Sequence, residues 1–253
     1  MLNPMDYPLL VFVASVLMFW ASAWFGGWLH TKWGDVTERN REDFTFVLGG
    51  TLTLLGLIVG FSFSMAVNRY DQRKLYEEEE ANAIGTEYAR ADLLPASDAT
   101  KVRALLKSYL SRRILSYEWH RDEKLRELTE ETARLQGDMW SAVVVPAVEK
   151  PTPVTALSVS GMNDVLNSQG YTQASWWNRI PAAAWAFLML ISIFCNVLVG
   201  YIAHGRSGAL FLILPIALAI SLFLIADIDS PHRGVIRVHP RNLESLAASL
   251  ESH

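Results

Sequence analysis

Four stretches of this chain contain no Asp, Glu, Lys or Arg: residues 7–29, 44–68, 180–203 and 207–226. They are 23, 25, 24 and 20 residues long. A helix rises about 1.5 Å per residue, so about 20 apolar residues span the roughly 30 Å hydrocarbon core of a bilayer. Each stretch reaches that length, which predicts four transmembrane helices. The segment between the second and third has a different pattern. Val102, Leu105, Leu106, Tyr109 and Leu110, then Ile114, Tyr117, Leu125 and Leu128, recur at three- and four-residue spacing, the period of amphipathic helices. Pro95 ends a first helix there, and Ser97 or Asp98 can cap the next. Lys150-Pro151-Thr152-Pro153 marks a second break, and Gly161 and Gly170 interrupt a third helical stretch. Strand alternation is absent. The expected fold is all-α: an integral membrane protein with four transmembrane helices and a helical cytoplasmic domain between the second and third.

The pattern divides the chain into residues 1–68 with membrane helices 1 and 2, a cytoplasmic helical domain over 69–179, a membrane hairpin over 180–226 and a cytoplasmic tail over 227–253. The hairpin turns at His204-Gly205-Arg206-Ser207-Gly208. Orientation follows from the basic residues close to the helix ends. Arg69, Arg73, Lys74, Arg179, Arg233, Arg237 and Arg241 fall on one side, and Lys32, Arg39, Arg41 and Arg206 on the other. The excess marks the cytoplasmic side, which puts both termini and the large segment on the cytoplasmic side of the plasma membrane. Trp20, Trp24 and Trp28 repeat at four-residue spacing and Trp33 follows, as in an interfacial aromatic belt. Ala21-Ser22-Ala23 fits a signal-peptide cleavage pattern, but no Lys or Arg precedes the apolar run, and the run is too long for a signal peptide.

Composition adds little until its distribution is considered. The 51% hydrophobic content and mean hydropathy of +0.18 are close to those of a soluble protein because residues 69–179 hold 32 of the 48 charged residues. A net charge of −4 excludes a basic nucleic-acid binder. The single Cys195 excludes an intrachain disulfide. In apolar surroundings that thiol is inert, and its neighbour Asn196 is expected to hydrogen-bond to another helix. No span has a carboxylate or a basic side chain in its interior, which argues against an ion-coupled transporter. There is no phosphate-binding loop, G-x-S-x-G or H-E-x-x-H motif, so an enzyme is not expected.

The second span is the informative one. Gly49, Thr53, Gly56, Gly60 and Ser64 fall on one narrow helix face, which Asp71, Lys74 and Glu78 continue beyond the membrane. Such a stripe serves either close helix packing through Gly56-x-x-x-Gly60 or the lining of a narrow water path. Phe61 and Phe63 lie on other faces, where they either gate a constriction by dewetting or meet lipid and neighbouring helices. After the last span, Asp227 and Asp229 admit three readings: a charged helix stop before a Pro231/Gly234 turn, an ion pair with Arg69 or Arg73, or a metal site. Ca²⁺ needs six to eight oxygens, more than two carboxylates supply, so no cofactor is expected.

The run Leu55–Leu94 and the tail Asp227-Ile228-Asp229-Ser230-Pro231-His232-Arg233-Gly234-Val235-Ile236-Arg237-Val238 resemble the bacterial bestrophin-like family of four-helix membrane proteins. More distantly, Gly60-Phe61 and Asn68-Arg69-Tyr70-Asp71 are similar to the Gly-Phe pair and the Tyr-Asp-Arg-Trp-type exit of bestrophin channels, with Ser62 in place of the Arg that follows the pair in bacterial bestrophins. The resemblance implies a homo-oligomer, a pentamer, that conducts inorganic ions passively through a pore lined by the second helix. Phe61 and Met65 are then the constriction candidates, and Asn68, Arg69, Asp71 and Glu78 stand at the cytoplasmic exit. A ring of the Glu77–Glu80 run would favour cations there. Animal bestrophins carry an acidic calcium clasp at the place of Asp227 and Asp229. The alternative is a membrane-anchored helical scaffold or sensor without a pore, meeting a partner through Tyr117, Trp119 and Trp140.

Overall fold

The computed structural model describes residues 6–33, 38–118, 122–203 and 210–252. Eight helices form the described chain: α1 (Pro8–Trp33), α2 (Glu38–Arg90), α3 (Ala96–Glu118), α4 (Asp122–Glu149), α5 (Pro153–Trp177), α6 (Ala182–Ile202), α7 (Leu210–Asp229) and α8 (Arg241–Glu251). A short 3-10 turn, Ala91–Leu93, precedes Pro95 and α3. No strand occurs among the described residues. Four helical stretches are long and apolar enough to cross a membrane, and they include α1, the first half of α2, α6 and α7. The turn expected at 204–208 lies outside the described residues.

The chain forms two compact units. The first comprises Met1–Arg69 and Arg179–Arg237, and the second Tyr70–Asn178 and Val238–His253. The segment after α7 is therefore shared between them.

In the first unit α1 packs along α6 and α7. Val11, Phe19 and Ala23 of α1, Trp185 and Leu188 of α6, and Leu222 and Ile225 of α7 are buried. Backbones meet most closely at two glycines. A Cβ on Gly26 would lie 2.0 Å from the Val197 carbonyl oxygen, and one on Gly200 would lie 1.9 Å from the Ala23 carbonyl oxygen. Only a residue without a side chain permits that approach. Asn196 corrects an expectation. Its Nδ2 donates to the Ser192 carbonyl 2.7 Å away, one turn back on α6. The amide donor is thus satisfied within its own helix rather than across to another.

The second unit has an apolar core that includes Ile84, Val102, Leu106, Leu110, Met139, Val143, Met162, Val165 and Leu243. A buried ion pair lies within it. Nε and Nη2 of Arg113 (α3) donate to the two carboxylate oxygens of Glu80 (α2), the Nη2 bond at 3.1 Å. The Thr172 hydroxyl (α5) donates to Glu80 Oε2 at 3.1 Å, and the Tyr109 hydroxyl approaches Oε1 at 3.5 Å. The Arg113 guanidinium also lies 5.6 Å from the Trp176 ring centroid. Burial, and then the Glu80 charge, push the Tyr109 phenol well above its ordinary range.

Helix α5 starts at the expected break, where Thr152 and Thr155 form a reciprocal capping box with Pro153 in the first turn. It then runs unbroken through Gly161 and Gly170, contrary to the interruption read from the sequence. A helix-interior glycine costs about 1 kcal/mol relative to Ala, which is small beside the burial of Met162, Val165 and Trp176 on the same helix.

The glycines separate by environment, and this gives a stability prediction. Gly200→Ala forces a methyl group onto a carbonyl, and its cost should exceed the usual 1–3 kcal/mol of overpacking. A Cβ on Gly56 meets nothing within 4 Å, so Gly56→Ala should be neutral or stabilising by about 0.5–1 kcal/mol. Thermal unfolding of the full chain in detergent checks both. Equal losses at the two positions would contradict the assignment.

Candidate functional site

Helix α2 has two faces of different character. On one, Leu55, Ser62, Ala66, Arg73, Glu77, Glu80, Ile84 and Glu87 are buried, at the three-, four- and seven-residue spacing of one helix side. Nearly opposite at 3.6 residues per turn lie Gly49, Thr53, Gly56, Gly60 and Ser64, all exposed. Asp71, Lys74 and Glu78 continue that face and are exposed as well. A Cβ on Gly49, Gly56 or Gly60 would find no atom within 4 Å. The Thr53 hydroxyl turns back to donate to the Gly49 carbonyl at 2.9 Å. Among the described residues of one copy, then, the stripe's glycines meet no neighbouring helix. The glycines that do bring helices together are Gly26 and Gly200 of α1 and α6.

The other residues read as pore elements fall in different places. Phe61 is 67% exposed and Met65 half-buried, one helix turn apart on the same side of α2. Asn68 is exposed. Arg69 turns away from the open face, with Nη1 3.7 Å from Asp229 Oδ1.

The Glu77–Glu80 run does not form one surface. Four consecutive helix residues point in four directions. Glu78 and Glu79 are exposed, whereas Glu77 and Glu80 are buried. Glu80 holds Arg113. Glu77 accepts the backbone N–H groups of Asn242 and Leu243 at 2.9 and 3.0 Å and the Asn242 amide at 2.6 Å. It thereby caps α8 from a position 165 residues earlier in sequence. At the other end of α8, Lys107 Nζ donates to the Leu250 carbonyl at 2.7 Å. A carboxylate at the N-terminus and an ammonium at the C-terminus suit the helix dipole.

Asp227 and Asp229 are each only 2% exposed, so neither is a plain charged helix stop. Asp227 accepts from the backbone N–H groups of Val235 and Ile236 at 2.7 and 2.8 Å, closing the turn after α7. Asp229 accepts from the Ile180 N–H at 3.2 and 3.3 Å and lies 3.7 Å from Arg69 and 3.8 Å from Arg179. Arg179 also donates to the Asp229 carbonyl at 2.9 Å and pairs with Asp6. Arg73, the other partner considered, approaches the Ser175 carbonyl at 3.5 Å. Asp227 is thus held by backbone N–H donors, and Asp229 by an N–H donor and two guanidinium charges, whereas Ca²⁺ is bound by a shell of six to eight oxygens. No cluster of three His, Cys, Asp or Glu suited to a metal occurs among the described residues.

The aromatic residues offered as a partner surface also divide. Tyr117 is buried, edge-on to Trp176 with ring centroids 5.3 Å apart. Trp140 is 38% exposed, and Trp119 lies outside the described residues.

The sequence and the fold are similar to those of known proteins. A family model described as the Bestrophin-like domain matches residues 17–243. A bacterial bestrophin homologue from Klebsiella pneumoniae carrying a single substitution superposes with a TM-score of 0.64 at 13% identity, covering 99% of this chain and 98% of that one. Another structure of a Klebsiella pneumoniae bestrophin homologue gives 0.65 at 14% identity, with 96% and 97% covered. At this identity the likeness is one of fold. No curated protein matches the sequence.

Two stability predictions follow from the buried carboxylates. Glu80→Gln removes one charge of a buried pair and should cost about 3–5 kcal/mol. Its exposed neighbour Glu79→Gln should stay within about 0.5 kcal/mol of wild type. Denaturant unfolding in detergent separates them, and similar losses would contradict the division of the run. Asp227→Ala leaves two backbone N–H groups without their acceptor and should cost about 1–3 kcal/mol. Millimolar Ca²⁺ or a chelator should leave the wild-type melting temperature unchanged, and a Ca²⁺-dependent rise would show that the carboxylates bind metal.

Proposed function

Since this chain belongs to the bestrophin-like family, we propose that it assembles as a ring of identical subunits, a pentamer by family likeness, and conducts inorganic ions passively through an axial pore lined by α2. The observation that carries this reading is the open stripe Gly49–Thr53–Gly56–Gly60–Ser64. It lies on the side of α2 away from the chain's own packing, with empty space before each of its first-half glycines. Small residues around a ring axis leave room for a narrow aqueous path and keep backbone dipoles near the ions. A helix facing only lipid has no use for such a stripe.

The same reading assigns the second unit to the cytoplasm. Basic residues flank the spans on that side, and the exposed Trp20, Trp24, Trp28 and Trp33 on α1 suit the opposite interface. The open face then leads from the membrane past Asp71, Lys74 and Glu78 toward the cytoplasm. Phe61 and Met65 would narrow the path only through repetition around the ring. Any cation preference rests on the exposed Glu78 and Glu79, since Glu77 and Glu80 are engaged inside the subunit.

Purified protein in liposomes should release a trapped ion gradient, and its detergent particle should be a multimer. Gly60→Leu should cut the flux at least tenfold while leaving the particle size unchanged, because the side chain has space within the subunit and obstructs only a shared axis. Tight liposomes together with a monomeric particle would overturn the proposal.

A further inference from the structure

One titratable group in the second unit has no part in the pore reading. Glu87 lies on the buried face of α2, two turns beyond Glu80, and is fully buried. Neither carboxylate oxygen has a hydrogen-bond donor. Its other buried neighbours on α2 differ in this respect, since Glu77 accepts three N–H bonds and Glu80 holds a guanidinium, a hydroxyl and a phenol.

The carboxylate rests against the backbone of α5. A Cβ on Gly161 would lie 2.0 Å from Glu87 Oε2 and 2.5 Å from Arg90 Nη1. Gly161 is therefore the gap into which both side chains fit. Arg90 lies beside Glu87 and partly offsets its charge, but it gives the carboxylate no hydrogen bond. Its Nη1 is directed to α5, 3.5 Å from the Leu157 carbonyl and 3.9 Å from Asp164 Oδ2. The Ser158 hydroxyl donates to the Arg90 carbonyl at 3.0 Å rather than to the carboxylate. The charged groups facing Glu87 are thus Arg90 from α2 and Asp164 from α5, of opposite sign, while Leu157, Ser158 and Gly161 bring no charge.

We propose that Glu87 is neutral when α5 is packed on α2, and that its ionisation loosens this seam, making the second unit a pH-responsive element. An ionised carboxylate buried without donors is strongly disfavoured, whereas the protonated acid is tolerated. Burial, opposed by Arg90 and reinforced by Asp164, pushes the Glu87 carboxyl up to about 8 from its ordinary 4.5. The sign follows from linkage. The packed state holds a proton that the opened state releases above pH 4.5, so the seam is tightest below that pH. It weakens as pH rises toward 8, and the loss is complete above it. The inference concerns the packing of α5 on α2 and holds whether or not α2 lines a pore.

Hydrogen exchange of the full chain in detergent tests it. After correction for intrinsic exchange, protection of the α5 amides around Gly161 should fall by up to about tenfold per pH unit between pH 5.5 and 7.5, the slope of one released proton. In Glu87→Gln, which keeps the shape and removes the titration, it should stay flat. A flat wild-type profile, or a Glu87→Gln profile that falls in parallel, overturns the proposal. Asp164→Asn provides a second variant at an exposed position. Removing that negative charge should lower the pH at which the wild-type fall levels off, and an unchanged profile counts against Glu87 as the titrating group.

Discussion

A carboxylate taken out of water must be given donors or a proton, and α2 carries three along its buried face. Glu77, Glu80 and Glu87 recur at helical spacing and point into the second unit. Each meets the requirement differently, and the three solutions place the surrounding helices. Glu77 is supplied by the N–H groups at the start of α8, which holds the end of the chain against α2. Glu80 is supplied by Arg113 of α3 and Thr172 of α5, joining three helices at one point. Glu87 receives no donor and lies against Gly161. The apolar core fills the space between these contacts, while the carboxylates determine which helix face meets which.

The first unit follows the same rule at the end of α7. Asp227 and Asp229 are as buried as the acids of α2, and each is satisfied inside the unit. Asp227 takes two backbone donors from the turn that follows it. Asp229 takes the N–H before α6 and lies between Arg69 and Arg179. Since Arg179 also pairs with Asp6, the segment before α1, the start of α6 and the end of α7 share one charge network.

Glycine marks the contrast between closed and open surfaces. At Gly26 and Gly200 a missing side chain lets two helices touch backbone to backbone, and at Gly161 it leaves room for a carboxylate. At Gly49, Gly56 and Gly60 it leaves open space. The same residue type therefore reports opposite environments, and spacing in the sequence does not distinguish them. The Gly56-x-x-x-Gly60 spacing reads equally as a packing motif, yet within the chain the close packing occurs between α1 and α6, whose glycines form no such motif.

Features that depend on local composition were legible in the chain alone. Charge-free runs of 20 or more residues fixed four membrane helices, because an apolar stretch of that length is stable across a bilayer and its length is read directly. Proline and threonine at 151–153 fixed the start of α5, because capping is a matter of neighbouring residues. The stripe on α2 was legible for the same reason, as helical spacing alone puts its members on one face. The tertiary structure decided which charges face inward. Glu77 and Glu80 differ from Glu78 and Glu79 only in helix phase relative to α3, α5 and α8, and that phase is set by partners 29 to 166 residues away. It likewise buried Tyr117 beside Trp176 and carried α5 through Gly161, where packing outweighs the glycine's low helix propensity. Charge at a position is a property of the chain, whereas its pairing is a property of distant neighbours, and only the folded arrangement brings those together.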